Sequence, residues 1–85
     1  MNPITLHFLN QKINSLTPQE LMNLAAQYNV HITQAEAQKV VAILRRQKID
    51  VKNVTQRKMI VETIAREVSR EKANMVQYLI DNYLN

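Results

Sequence analysis

Glycine does not occur anywhere in the 85 residues, and cysteine and tryptophan are equally missing. Without glycine there is no dinucleotide fingerprint, no phosphate-cradling glycine loop and no tight hairpin turn built on positive φ. Two large enzyme classes drop out. Where the chain turns left-handed it must use Asn or Asp, and Asn29, Asn53 and Asp50 stand where such turns are needed. Without cysteine there is no disulfide, and His7 and His31 alone are too few nitrogen ligands for an all-protein structural zinc site. A reducing compartment fits. No segment approaches the roughly 18 consecutive apolar residues of a membrane span, and the N-terminus has neither a basic n-region nor a long apolar h-region. The expectation is a soluble cytoplasmic protein, a complete small gene product, with no cofactor, no metal and no membrane contact.

What is present is ordinary globular material, with 46% hydrophobic and 21% charged residues. A chain of this length makes a single domain, residues 1–85, and buries only about 60–65% of the surface that its unfolded form exposes. Helix signals dominate. TPQE (Thr17 to Glu20) and TQAE (Thr33 to Glu36) read as capping boxes, with Pro18 at the first helical position of the former. TQRK (Thr55 to Lys58) reads as a third start, and Asn2-Pro3 as a weaker one at the head of the chain.

Apolar residues recur at helical spacing between these starts: Ile4, Phe8, Leu9, Ile13 and Leu16, then Leu21, Leu24, Ala25 and Tyr28. Ala37, Val40, Val41 and Leu44, joined by Ile43, make a third segment that is apolar on more than one side, as befits a central helix. Ile60 or Val61 with Ile64, Ala65 and Val68 forms a fourth. Val76, Leu79, Ile80 and Tyr83 form the last. An unbroken helix from Gln56 to Leu84 would be about 43 Å long at 1.5 Å per residue, too long for so small a domain. Ser69-Arg70-Glu71 is the place to break it. The fold class is therefore all-α, a bundle of four to five short helices. Val30-His31-Ile32 and Ile49-Asp50-Val51 share an apolar, polar, apolar rhythm that allows a minimal two-stranded bridge between the connectors.

The stretch AAQYNVHITQAE (Ala25 to Glu36) has the length and helix-loop-helix setting of a calcium loop, with Ile32 eighth and Glu36 twelfth. Calcium would need oxygen ligands at the first, third and fifth places and glycine at the sixth. Those places hold Ala25, Gln27, Asn29 and Val30, so the segment resembles an EF-hand stripped of its ligands, and Glu36 is left as the capping partner of Thr33. LTPQELMNLAAQYNV followed by ITQAEAQKVVAILRR resembles, more loosely, the helix-extended-helix SAP domains that bind DNA. It departs from them at Asn29, His31 and Gln34, where that family has a glycine and basic residues, and so lacks the DNA-contacting chemistry. Through its length, its MNPI start and LTPQELMNLAAQYNV, the whole chain resembles a small uncharacterised all-helical family of endospore-forming Gram-positive bacteria. That resemblance implies no activity, cofactor or catalytic residue.

Charge is the most informative functional feature. Lys39 to Lys72 holds ten of the eleven basic residues and four acids, a net of +6. Arg45, Arg46, Lys48, Lys52, Arg57 and Lys58 surround the turn between the third and fourth helices and form a candidate phosphate-binding cluster, which would bind nucleic acid through counterion release. The plain alternative is a solvated helix end whose cations favour the negative end of the helix dipole. No aromatic interleaves the cluster to stack bases. Lys58, Glu62 and Arg66, and Glu67 with Arg70, are spaced for pairs along one helix face. Neither histidine has an acid or a thiol at catalytic spacing, and Ser15 and Ser69 stand alone, so no enzyme is expected. The last segment carries more apolar residues than one stripe needs, and Met75, Tyr78, Leu79 and Tyr83 are the candidate protein interface. The leading expectation is a small interaction module that binds a protein partner or forms a homodimer, with nucleic-acid binding at the basic cluster as the alternative.

Overall fold

The computed structural model describes residues 10–84, the side chains of 82–84 excepted. The expectations for Asn2-Pro3, Ile4, His7, Phe8, Leu9 and the Tyr83 side chain lie outside the described residues. Five helices follow one another among the described residues: α1 (described over 10–15), α2 (Pro18–Gln27), α3 (Gln34–Leu44), α4 (Val54–Glu67) and α5 (Arg70–Leu84). This is an all-α bundle. α2 packs on α3, α3 on α4, and α4 on α5.

The helix starts follow from local side-chain chemistry. The Thr17 hydroxyl accepts from the Glu20 amide at 3.2 Å while Glu20 Oε1 accepts from the Thr17 amide at 3.1 Å. Thr33 and Glu36 repeat the arrangement at 3.1 and 3.0 Å, so both capping boxes form and satisfy amides that a helix leaves orphaned. The third start is displaced. Asn53, not Thr55, caps α4, with its Oδ1 accepting from the Gln56 amide at 3.0 Å. Thr55 lies inside the helix because Asn53, two residues earlier, offers the same acceptor.

The break at Ser69 is real. The longest dimension of the molecule is 33 Å, so the chain stops at Val68 and restarts with the Ser69 hydroxyl accepting from the Lys72 amide at 3.1 Å. α2 ends on Asn29, the one positive-φ residue among those described, at φ 60°. The Val30 amide returns to the Ala25 carbonyl at 2.9 Å and the Asn29 amide to Ala26 at 3.1 Å, the paired bonds of a Schellman motif made with Asn in place of glycine. Asp50 and Asn53 do not turn left-handed. Asp50 instead accepts from the Lys52 amide at 3.0 Å, a local turn that a carboxylate makes without strain.

One apolar cluster fills the interior. α3 supplies Ala37, Val40, Val41, Ile43 and Leu44 to it, which makes α3 the central helix. Ile32, Ile49 and Val51 reach the same core from the connectors. The connectors do not bridge, since the described residues contain no strand or bridge. Asn14 of α1 takes the partner's place: its Nδ2 donates to the Ile49 carbonyl at 3.0 Å and its Oδ1 accepts from the Ile49 amide at 2.8 Å. Asn10 Oδ1 accepts from the Val51 amide at 2.9 Å. A side-chain amide carries one donor group and one acceptor, so it can satisfy a residue's backbone as a neighbouring strand would.

Candidate functional site

Two regions were singled out by the sequence, and the fold treats them differently. At the turn from α3 to α4, the six cations divide into two that are engaged and four with no ion-pair partner among the described residues. Arg45 reaches back to donate to the Leu16 carbonyl at 3.1 Å, tying the end of α3 to the α1–α2 turn. Arg46 makes a two-pronged pair with Glu67, at 2.8 and 2.7 Å. That hydrogen-bonded pair, and then its Coulomb attraction, holds the Glu67 carboxyl below the usual carboxylate value and raises Arg46. The geometry is the fork-to-fork match that suits a guanidinium and a carboxylate.

Lys48, Lys52, Arg57 and Lys58 have no ion-pair partner among the described residues. Lys48 stands at an open groove of about 620 Å³ lined by Asn10, Gln11, Asn14 and Ser15. Its backbone carbonyl is held by Gln56 Nε2 at 2.9 Å, and Gln56 Oε1 accepts from the Asp50 amide at 2.8 Å, which fixes the turn on the first turn of α4. The expected pairs along α4 are not made. Glu67 goes to Arg46 instead of Arg70, and Arg66 donates to the Thr63 hydroxyl at 3.5 Å. A longer-range bidentate partner outcompetes a neighbour three residues away.

The C-terminal interface is also rearranged. Met75 and Leu79 are core residues, buried with Ala73, Val76 and Ile80, so they are withdrawn from any surface. The reason is geometric: α5 packs against α4 and also meets the connector after α2, and two neighbours bury a wider arc than a single stripe. Tyr78 alone of the described candidates stays outside, at 55% exposed. Its ring stands edge-on to Tyr28, with centroids 5.3 Å apart and planes at 81°. That arrangement suits two aromatic quadrupoles and fixes both rings.

Among the described residues, no group of three His, Cys, Asp or Glu could hold a metal ion, and no helix is long and apolar enough to cross a membrane. The former calcium-loop segment is spent on structure. The Thr33 amide lowers the Glu36 carboxyl through its hydrogen bond, with smaller help from Lys72 and His31.

Residues 1–84 match the family described as protein of unknown function (DUF2624). The chain belongs to the DUF2624 family. No curated protein and no solved structure matches it. The structure adds two features of this DUF2624 chain that its sequence does not announce. One is the Asn14 clamp. The other is Lys72, only 7% exposed, whose Nζ donates to the His31 carbonyl at 2.7 Å and to Glu71 at 2.9 Å. Its place on α5 beside Ala73 and Val76, on the buried arc, was the available signal.

Proposed function

We propose that this protein is a non-enzymatic, cytoplasmic interaction module that binds a protein partner, or a second copy of itself, at the corner where Tyr78 meets Tyr28. The observation that carries the reading is Tyr78, a large aromatic side chain more than half exposed yet held in place by an edge contact. A rigid, exposed tyrosine is typical interface material because it contributes area at little entropic cost. A structural role for the polar interior supports it: Asn14 and Lys72 hold connectors in place. The EF-hand-like helix-loop-helix is then a scaffold, and the cell is an endospore-forming Gram-positive bacterium.

The alternative is nucleic-acid binding, which rests on Lys48, Lys52, Arg57 and Lys58 having no ion-pair partner among the described residues. Light scattering at low and high salt, with a labelled RNA and DNA pool titrated into the same samples, separates the two. A dimer that persists at high salt and is lost in Tyr78→Ser supports the aromatic corner. Apolar association resists salt, whereas phosphate binding falls steeply with it. A monomer that binds the pool at low salt and releases it at high salt transfers the function to the basic turn.

A further inference from the structure

The Tyr28–Tyr78 corner has a charge setting unlike the rest of the molecule. From Ile13 to Val30 and from Ala73 to Asn85 the sequence contains no Lys, Arg or His, so the two stretches that meet there bring no cation of their own, although the chain carries a net charge of +4. The nearest basic residues along the chain are His31 and Lys72, and the Lys72 ammonium is spent on the His31 carbonyl and Glu71. Asp81, three residues after Tyr78, is exposed and in no ion pair among the described residues, and its Oδ1 accepts from Gln77 Nε2 at 2.8 Å. Helical geometry places Asp81 about 60° round α5 from Tyr78 on one side, and Lys72, which reaches the connector that follows Tyr28, on the other. Tyr78 thus stands between its aromatic partner and a carboxylate. An edge contact covers at most one face of the Tyr78 ring, and a side chain 55% exposed keeps the other face open to water.

We infer that the corner takes an arginine side chain of a partner protein, its guanidinium laid on the open face of Tyr78 and donating to Asp81; this rests on the reading of the corner as an interface and adds what fills it. The face of an aromatic ring carries the negative side of its quadrupole and attracts a cation, most often arginine. A guanidinium is planar, stacks on a ring and keeps N–H donors at its edge, so one group satisfies the ring and the carboxylate together. Other occupants fit less well. An acidic side chain meets a negative ring face and a like charge. An aliphatic one covers the ring but takes water from the Asp81 carboxylate without replacing it. A two-fold contact between copies sets the corner against itself, where neither copy has a cation to offer.

The test is an amide NMR titration of the full chain with three capped peptides that differ in one central residue flanked by leucines: arginine, citrulline, which has the shape of arginine without its charge, or glutamate. The arginine peptide is expected to move the signals of Tyr28 and of residues 77–81 most, and to bind about tenfold more tightly than the citrulline peptide. Tyr78→Leu, which keeps an apolar side chain, should abolish that preference, Tyr78→Phe should keep it, and Asp81→Asn should weaken binding about threefold. Equal binding of the arginine and citrulline peptides at the corner overturns the inference and leaves the interface standing. So does a concentration-dependent shift of the same signals without peptide, which assigns the corner to a second copy. No shift at the corner, or an arginine preference that survives in Tyr78→Leu, also overturns it. If light scattering of the same samples then shows no association that depends on Tyr78, the reading of the corner as an interface falls with it.

Discussion

The two connectors that flank α3 start from the same rhythm, Val30-His31-Ile32 and Ile49-Asp50-Val51, and end with different chemistry. In both, the polar middle residue faces water, and Ile32, Ile49 and Val51 enter the core with Val30 half-buried. Alternation thus tells which way side chains point. It does not say what satisfies the backbone between them. The first connector closes with a left-handed Asn29, a capping box and one ammonium on one carbonyl. The second is held by amide side chains from α1 and α4 that both donate and accept. A lysine can only donate, so the first connector keeps its amides for local partners; Asn14 can act as a one-residue strand.

The comparison predicts equal sensitivity in the core and unequal sensitivity in the polar anchors. Ile32→Ala and Ile49→Ala should each lower unfolding stability by about 2–5 kcal/mol, because both delete three carbons from the same close-packed cluster. Urea denaturation checks it, and a large inequality between them would mean that the connectors are not equivalent even in packing. Asn14→Leu keeps the shape and strips both bonds from Ile49, a part-buried backbone site. A loss of about 1–3 kcal/mol is expected, with faster amide exchange at Ile49 and none at Thr33.

These contrasts mark what could be read from the chain. Thr17 with Glu20, Thr33 with Glu36 and the Ser69 break are local: the residues that decide them lie within one helical turn, so their chemistry is visible in sequence. The cap at Asn53 is just as local, within Asn-Val-Thr-Gln, but Thr55 competes for it in the sequence, and Gln56 turns its side chain to Lys48 and Asp50 instead of back to the cap. The Asn14 clamp joins residues 35 apart, and Lys72 meets His31 across 41. Such contacts depend on how whole helices dock, and no spacing rule encodes them. Members of the candidate sites were redrawn for the same reason. Arg46 looks free until α4 brings Glu67 to it, and Met75 and Leu79 look surplus until α5 acquires its second neighbour.

Lys72→Met sharpens the comparison from the other side. The ammonium is buried, but its carboxylate partner Glu71 has a side chain 74% exposed, and His31 sits at the surface. Removing the charge leaves no stranded ion behind, and an apolar side chain of similar length fills the space. The expected cost is under about 1 kcal/mol, smaller than that of Asn14→Leu. A cost as large as that of Asn14→Leu would show that one carbonyl bond holds the first connector as firmly as two bonds hold the second.

The smallest effect is confined to acid. The first connector closes on a titratable group, Glu36, held below the ordinary carboxylate value of 4.5 chiefly by the Thr33 amide, whereas the Ile49 backbone of the second is held by the neutral amide of Asn14. A lowered carboxyl contributes its full stability above the ordinary value and loses it as pH falls through the lowered one. Acid should therefore open the first connector before the second, seen as loss of protection at the Thr33 and Glu36 amides, relative to their intrinsic rates, while Ile49 stays closed. Glu36→Gln retains an acceptor for the capping box and cannot titrate. It should leave the thermal midpoint near pH 7 almost unchanged and make the fall below about pH 4.5 shallower, with Glu20 and Glu67, both also lowered, supplying what remains. If the acid limb keeps its full slope in Glu36→Gln, the cap is not what acid attacks, and the division between a titrating cap at Thr33 and a neutral clamp at Ile49 falls.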